Sequence, residues 1–171
     1  MANFKFKMNE KTKVFFIYVL YVFILFTVDR ITKFQVLNIF ENQDKVDIYI
    51  NSFLSLYLVW NKGIGFGLFS FDDATVYNLI TLLILFINGI IIYLIFVEKG
   101  MKVYFLLTIL GGSLGNFVDR IYYKAVPDFI DLNYQGYHWF IFNVADIFIT
   151  LGIICLIFAE LLNYKTSNEE K

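Results

Sequence analysis

Four long apolar runs, each tied at one end to carboxylates or carboxamides, limit what this 171-residue chain can become. Residues 74–97 and 140–162 are long enough to cross a hydrocarbon core about 30 Å thick, which takes about 20 residues of helix. The first run, residues 14–28, rises only about 22 Å at 1.5 Å per residue, so its helix must extend into polar residues and place Asp29 near membrane depth. A third run, residues 103–118, carries Gly111, Gly112, Ser113 and Gly115. With 59% hydrophobic and 20% aromatic residues, the composition is that of an integral membrane protein. We expect one domain over 1–171, mainly α, with spans at about 12–30, 74–97, 103–119 and 140–162.

Lys5, Lys7, Lys11 and Lys13 precede the first run as in a secretory signal, but the run ends in "TVDRITK" with no small-x-small cleavage site. It is therefore read as a retained span. Four spans place both termini on one side, together with the N-terminal lysines, Lys99, Lys102, Lys165 and Lys171. By the positive-inside rule that side is the cytoplasm. The aspartates (Asp29, Asp44, Asp47, Asp72, Asp73, Asp119, Asp128, Asp131 and Asp146) all fall on or near the opposite, exported side.

About 45 residues separate the first two spans, too apolar to be a plain loop. "FQVLNIF" has the pattern of a short amphipathic interfacial helix. "FLSLYLVW" has a loose period of two and predicts a small β-sheet, ending at "NKGIGFGLF". This extracytoplasmic cradle covers about 31–73. Gly63, Gly65 and Gly67 allow either a turn or a close backbone approach.

Fourteen basic against fifteen acidic residues leave no electrostatic footprint for nucleic acid. Cys155 stands alone, so no intrachain disulfide can form, and no Cys/His cluster has metal-ligand spacing. No metal and no cofactor are expected.

The chemistry concentrates in two polar clusters. "GGSLGNFVDR" sets Asn116, Asp119 and Arg120 on one helical face, and "FNVADIF" sets Asn143 and Asp146 three residues apart at the mouth of the last span. A charge at the centre of a membrane helix costs about 2.5–3.5 kcal/mol, somewhat less near the interface. A structural ion pair of Asp119 with Arg120 or Lys33 could account for the first cluster. It accounts poorly for Asp146, which has no cation nearby in sequence. Gly111 and Gly115 let the third helix approach a neighbour closely. The connecting loop carries Asp128 and Asp131, with Pro127 stiffening its start. Paired carboxylates sharing one proton suggest aspartic chemistry, one acid activating water while the other donates. Spacing alone leaves Asp119, Asp128 and Asp131 all open as the partner of Asp146. His138, beside Trp139, reads as an interfacial ring.

At these residues the chain resembles the lipoprotein signal peptidase (signal peptidase II) family. "DRITK" is similar to D-x-x-[ST]-K, "NKGIGFG" to N-x-G-x-[AG]-[FW]-[GS], "GGSLGNFVDR" to G-G-x-[LI]-G-N-x-x-D-R, "VPDFI" to V-x-D-F-[IL], and "FNVAD" to F-N-[LIVM]-A-D. The five motifs occur in order along nearly the whole chain. The resemblance implies an intramembrane aspartic endopeptidase that cleaves a prolipoprotein before its diacylglyceryl-modified cysteine. Asp128 and Asp146 would be the catalytic pair. Asn61, Asn116, Arg120 and Asn143 would bind substrate, with Asp29, Lys33, Gly63, Gly112, Asp119, Phe129 and Ala145 in support. It further implies a monomer in the bacterial cytoplasmic (inner) membrane, its active site at the extracytoplasmic face, in contact with membrane lipids and inhibited by globomycin-type lipopeptides. Ile147 and Pro127 depart from the usual pattern, where Ser and an aliphatic residue are common. The rival readings are a proton-coupled transporter, for which Asn78 and Asn88 are the only deeper polar groups, a structural assembly subunit, and a metal-dependent hydrolase that chelators would inhibit.

Overall fold

A computed structural model describes residues 9–63 and 74–169, with the side chains of 163–169 left undescribed. Helix α1 spans Glu10–Gln43. The strands β1 (Asp47–Asn51) and β2 (Leu54–Asn61) follow, then α2 (Ala74–Val97), α3 (Met101–Tyr123), β3 (Val126–Tyr134), β4 (Tyr137–Phe142) and α4 (Val144–Glu169). All four helices are long and apolar enough to cross a membrane, and the four strands form one antiparallel sheet in the order β1-β2-β3-β4. Gly65, Gly67, Asp72, Asp73, Lys5, Lys7 and Lys171 lie outside the described residues, as does the side chain of Lys165.

The N-cap of α1 is Asn9, whose Oδ1 accepts the Thr12 amide at 2.7 Å. The helix then continues to Gln43, well beyond residue 30. "FQVLNIF" is therefore the continuation of α1 and not a separate interfacial helix. No Gly or Pro interrupts this stretch, and Asp29, Lys33 and Val36 form one buried stripe at i, i+4 and i+7 that keeps the helix against its neighbours. Asp44 ends it in the left-handed conformation, its amide bonding the Phe40 carbonyl.

Helix α3 is the axis of the bundle. It packs against α1, α2 and α4 and contributes more buried positions than any other helix, including Leu106, Ile109 and Leu110, which meet Ile91 of α2 in the apolar core. Close contact needs small residues at the crossing points. A Cβ on Gly115 would lie 2.5 Å from the Asp29 carboxylate on α1, and one on Gly112 would collide with the Ala145 carbonyl of α4. The lipid-facing sides of the helices carry Phe23, Phe86, Phe96 and Phe158, as a bilayer solvent allows.

A strand was expected in the first cradle segment, and β2 is there. The stretch expected as a loop and the start of the fourth span instead supplies β3 and β4, and α4 begins only at Val144. Gln135 and Gly136, both at positive φ, close a two-residue hairpin between Tyr134 and Tyr137. The aromatic and β-branched run Tyr137–Phe142 pairs back on β3. The sheet rests on the far end of α1 through Val36, Val46 and Phe129, with Phe40, Leu56 and Leu58 around them. This contact carries β3 to the mouth of α4.

Candidate active site

Asn143 is the N-cap of α4 and Asp146 is its third helical residue. The Asp146 amide donates to Asn143 Oδ1 at 3.1 Å, and the Asn143 amide donates to Asp146 Oδ2 at 3.1 Å. This reciprocal pair is a capping box. It explains in local terms why an acid sits at the start of a membrane helix: two otherwise orphaned amides are satisfied, and the carboxylate meets the positive end of the helix dipole.

Strand β3 brings the second acid. Asp128 is 2% exposed. Its Oδ1 accepts from Asn143 Nδ2 at 2.6 Å and its Oδ2 from Asn61 Nδ2, at the end of β2, at 2.8 Å. The remaining oxygen of Asp146, Oδ1, accepts from Asn116 Nδ2 of α3 at 2.8 Å. Every oxygen of the two carboxyls is thus held by an amide N–H, and among the described residues none is paired directly with a cation. Burial, followed by the neighbouring charge of Asp146, pushes the Asp128 carboxyl up to about 7 from its ordinary 3.8, against the opposing pull of Asn61 and Asn143.

Behind this pair lies a charged cluster. Asp119 Oδ2 accepts from Lys33 Nζ at 2.6 Å, and its Oδ1 from Arg30 Nη1 at 2.6 Å. Asp29 Oδ2 takes the same two cations at 3.0 and 2.8 Å. Two acids and two bases therefore neutralise one another inside the bundle, the arrangement that lets buried charge persist. Asp119 pairs with Lys33, one of the partners expected, and with Arg30, but not with Arg120. Arg30 was missed from sequence, where it reads as one variable position inside "DRITK". The cluster reaches the acid pair at two points. Asp29 Oδ1 accepts the Ala145 amide at 3.0 Å, and Lys33 Nζ donates to Asn116 Oδ1 at 2.8 Å.

Arg120 turns elsewhere. It donates to the Gly63 carbonyl, and its guanidinium lies 5.6 Å from the Tyr77 ring centre. Its Nε and Nη1 have no partner among the described residues. The Gly63 amide in turn donates to Asn61 Oδ1 at 2.8 Å, tying the end of β2 to the site. A cavity of about 250 Å³ brings together Asn61, Asn116, Arg120, Asp128 and Asp146, with Ser113 and Ile84 in its walls.

Asp131 stands apart. Three positions along a strand reverse the face, so it points away from Asp128. It is buried against Asn133 Nδ2 and His138 Nδ1, each at 2.8 Å from Oδ2. His138 thus belongs to the sheet's other face. Phe129 is core, packing on Val36 and Val46. Of the two deeper asparagines, Asn78 is exposed and Asn88 is buried in α2 with neither amide atom partnered among the described residues.

Two carboxyls, Asp128 buried and Asp146 half-buried, thus stand ringed by amide donors at the mouth of a bundle of four helices long and apolar enough to cross a membrane. The signal peptidase (SPase) II family matches residues 21–162. The chain is 51% identical over 165 residues to the lipoprotein signal peptidase of Pelagibacter ubique, covering 96% of this chain and 98% of that one. It is 35% identical over 141 residues to that of Thermodesulfovibrio yellowstonii, covering 82% and 91%. A solved structure described as a bacterial membrane enzyme superposes with a TM-score of 0.69 at 29% identity, over 90% of this chain and 92% of its own. The chain belongs to the signal peptidase II family and is a multi-pass membrane peptidase.

Proposed function

We propose that Asp128 and Asp146 are the catalytic pair, and that they hydrolyse the peptide bond before the diacylglyceryl-modified cysteine of a prolipoprotein. The observation that carries the proposal is the convergence of Asn61, Asn116 and Asn143 on these two carboxyls. Two adjacent carboxyls, one buried and one half-buried, do not both ionise readily, so one proton is shared. Asp128, which retains a proton up to about pH 7, donates it to the scissile carbonyl oxygen. Asp146 takes a proton from water as the water oxygen attacks the carbonyl carbon. Collapse of the resulting gem-diol returns a proton to Asp128 while Asp146 protonates the leaving nitrogen, and the C–N bond breaks. The products are a signal peptide ending in a carboxylate and a lipoprotein with a free amine on its cysteine.

Arg120 is the substrate-binding group with donors to spare, directed at the backbone carbonyls flanking the bond. Asn61, Asn116 and Asn143 act on substrate through the carboxyls they hold in register. Asp29, Lys33 and Asp119, together with Arg30, fix the start of α4. Gly112 gives α4 its close approach to α3, and Gly63 and Phe129 anchor β2 and β3.

The chain works as one integral membrane domain, a monomer in the bacterial inner membrane. Lys11 and Lys13 at the start of α1, and Lys99 and Lys102 around the α2–α3 turn, lie at the end away from the sheet, which supports cytoplasmic termini and an acid pair on the exported side. Globomycin-type lipopeptides would compete for the same cavity. The test is cleavage of a diacylglyceryl-modified prolipoprotein by purified protein, comparing wild type with Asp128→Asn and Asp146→Asn at matched folded amounts. Loss of cleavage in both variants is expected. Near-normal activity in either would remove that acid from the mechanism.

A further inference from the structure

Asp146 and Thr150 face two spaces at once. On one side is the polar cavity that holds Arg120. On the other is an apolar groove of about 390 Å³ between α4 and the β3–β4 hairpin, walled by Leu132, Phe140, Phe142, Ile147 and Leu151. Leu132 and Phe140 also line a second space, of about 540 Å³, that extends the groove under the sheet towards Phe53 and Trp139. Ile147, Leu151, Phe140 and Leu132 are all at least one-third exposed, and Ile147 and Leu151 lie on a helix long and apolar enough to cross a membrane, so the groove is open along the face of α4.

We propose that this groove receives one acyl chain of the substrate's diacylglyceryl group, and that Ile147 and Leu151 set how long a chain it accepts. The inference rests on the function proposed above and adds a subsite to it. The position of the groove argues for this occupant. It begins at a catalytic carboxyl, and the lipid of the substrate is attached to the side chain of the residue that follows the scissile bond, so the chain must leave the acid pair within a few bonds. The polar cavity, with Arg120, Asn61 and Asn116 in its wall, is unsuited to hydrocarbon, whereas the groove on the other face of Asp146 is apolar. A larger apolar space of about 530 Å³ between α1, α2 and α3 shares no residue with the acid pair and cannot be reached in the same way. Moving an acyl chain from bilayer to groove exchanges one apolar surround for another, so selection comes from shape rather than from dehydration.

The experiment uses wild type, Ile147→Trp and Leu151→Trp in lipid nanodiscs, with prolipoprotein peptides whose cysteine carries either a dipalmitoyl or a dioctanoyl glyceryl thioether. Wild type should show the lower KM for the long-chain substrate. Each tryptophan, by overfilling the groove, should raise that KM roughly tenfold, while KM for the short-chain substrate and kcat for both stay unchanged. Leu151 lies one helical turn further from Asp146, so its variant separates groove filling from disturbance of the acid pair. Equal effects on both substrates, or no chain-length preference in wild type, would overturn the proposal and leave the groove to bulk lipid. If wild type cleaves neither substrate, the proposed function falls and the subsite with it.

Discussion

Replacing Asp128 with Asn should abolish cleavage and, above neutral pH, make the protein harder to unfold. The folded protein holds the Asp128 proton up to about pH 7, whereas the unfolded chain releases it around 3.8. Because the folded state binds the extra proton, the contribution of this group to stability is fully present below pH 3.8 and is lost as pH rises through 7. Between pH 5 and pH 8 the loss covers about two units, or roughly 3 kcal/mol at 1.36 kcal/mol per unit. Asparagine does not titrate, so its variant escapes that loss. It has its own cost, since one of the donors from Asn61 and Asn143 must then face an amide NH2, about 1–3 kcal/mol at any pH. About 1.2 units of the wild-type loss, roughly 1.6 kcal/mol, have already accrued by pH 5, so the variant should melt close to wild type at pH 5 and above it by pH 8. At roughly 2–4 °C per kcal/mol for a chain of this size, the difference in Tm should move by about 6–12 °C across that range. Intrinsic-fluorescence melting in detergent at matched ionic strength would measure it. Parallel Tm-versus-pH curves for the two proteins would refute the argument that Asp128 is held protonated by burial and by the charge of Asp146.

Cleavage should fall as pH rises through about 7, where the shared proton is lost, and Asn61→Ala should move that limb upward by roughly one unit, because a donor to the ionised form is gone; a pH-rate profile of both proteins checks this. Gly112→Ala places a methyl group against the Ala145 carbonyl and should cost about 1–3 kcal/mol while lowering activity, read by Tm and cleavage rate together. Lys33→Met leaves Asp29 and Asp119 sharing Arg30 alone inside the bundle and should destabilise by about 3–5 kcal/mol, visible as lost folded yield in membranes. Cleavage in the presence of a strong chelator should equal cleavage without it.

The helices were legible because bilayer thickness imposes a length on apolar runs, and the Asn143 and Asp146 spacing was legible because a capping box and a site motif coincide there. The partner of Asp146 was not. Choosing Asp128 over Asp131 physically requires knowing that residues 126–134 form a strand, in which an odd spacing sends two side chains to opposite faces. The sequence alone reads this run as loop and membrane helix because Tyr137–Phe142 is as apolar as a span, and hydropathy does not distinguish a hairpin strand from a helix end. Motif resemblance supplied what periodicity lacked. Arg30 stayed hidden for another reason: its partner Asp119 lies 89 residues away, and nothing local marks that pairing.

The wiring of the acid pair through carboxamides rather than cations has a consequence for the solution around it. Ion pairs weaken as salt shortens the Debye length, to about 8 Å at physiological strength. Amide dipoles at hydrogen-bond distance are insensitive to that screening. An acid pair held this way keeps its register whether the solution around it is dilute or concentrated electrolyte. The geometry of the pair is then indifferent to the ionic strength of the water that reaches it.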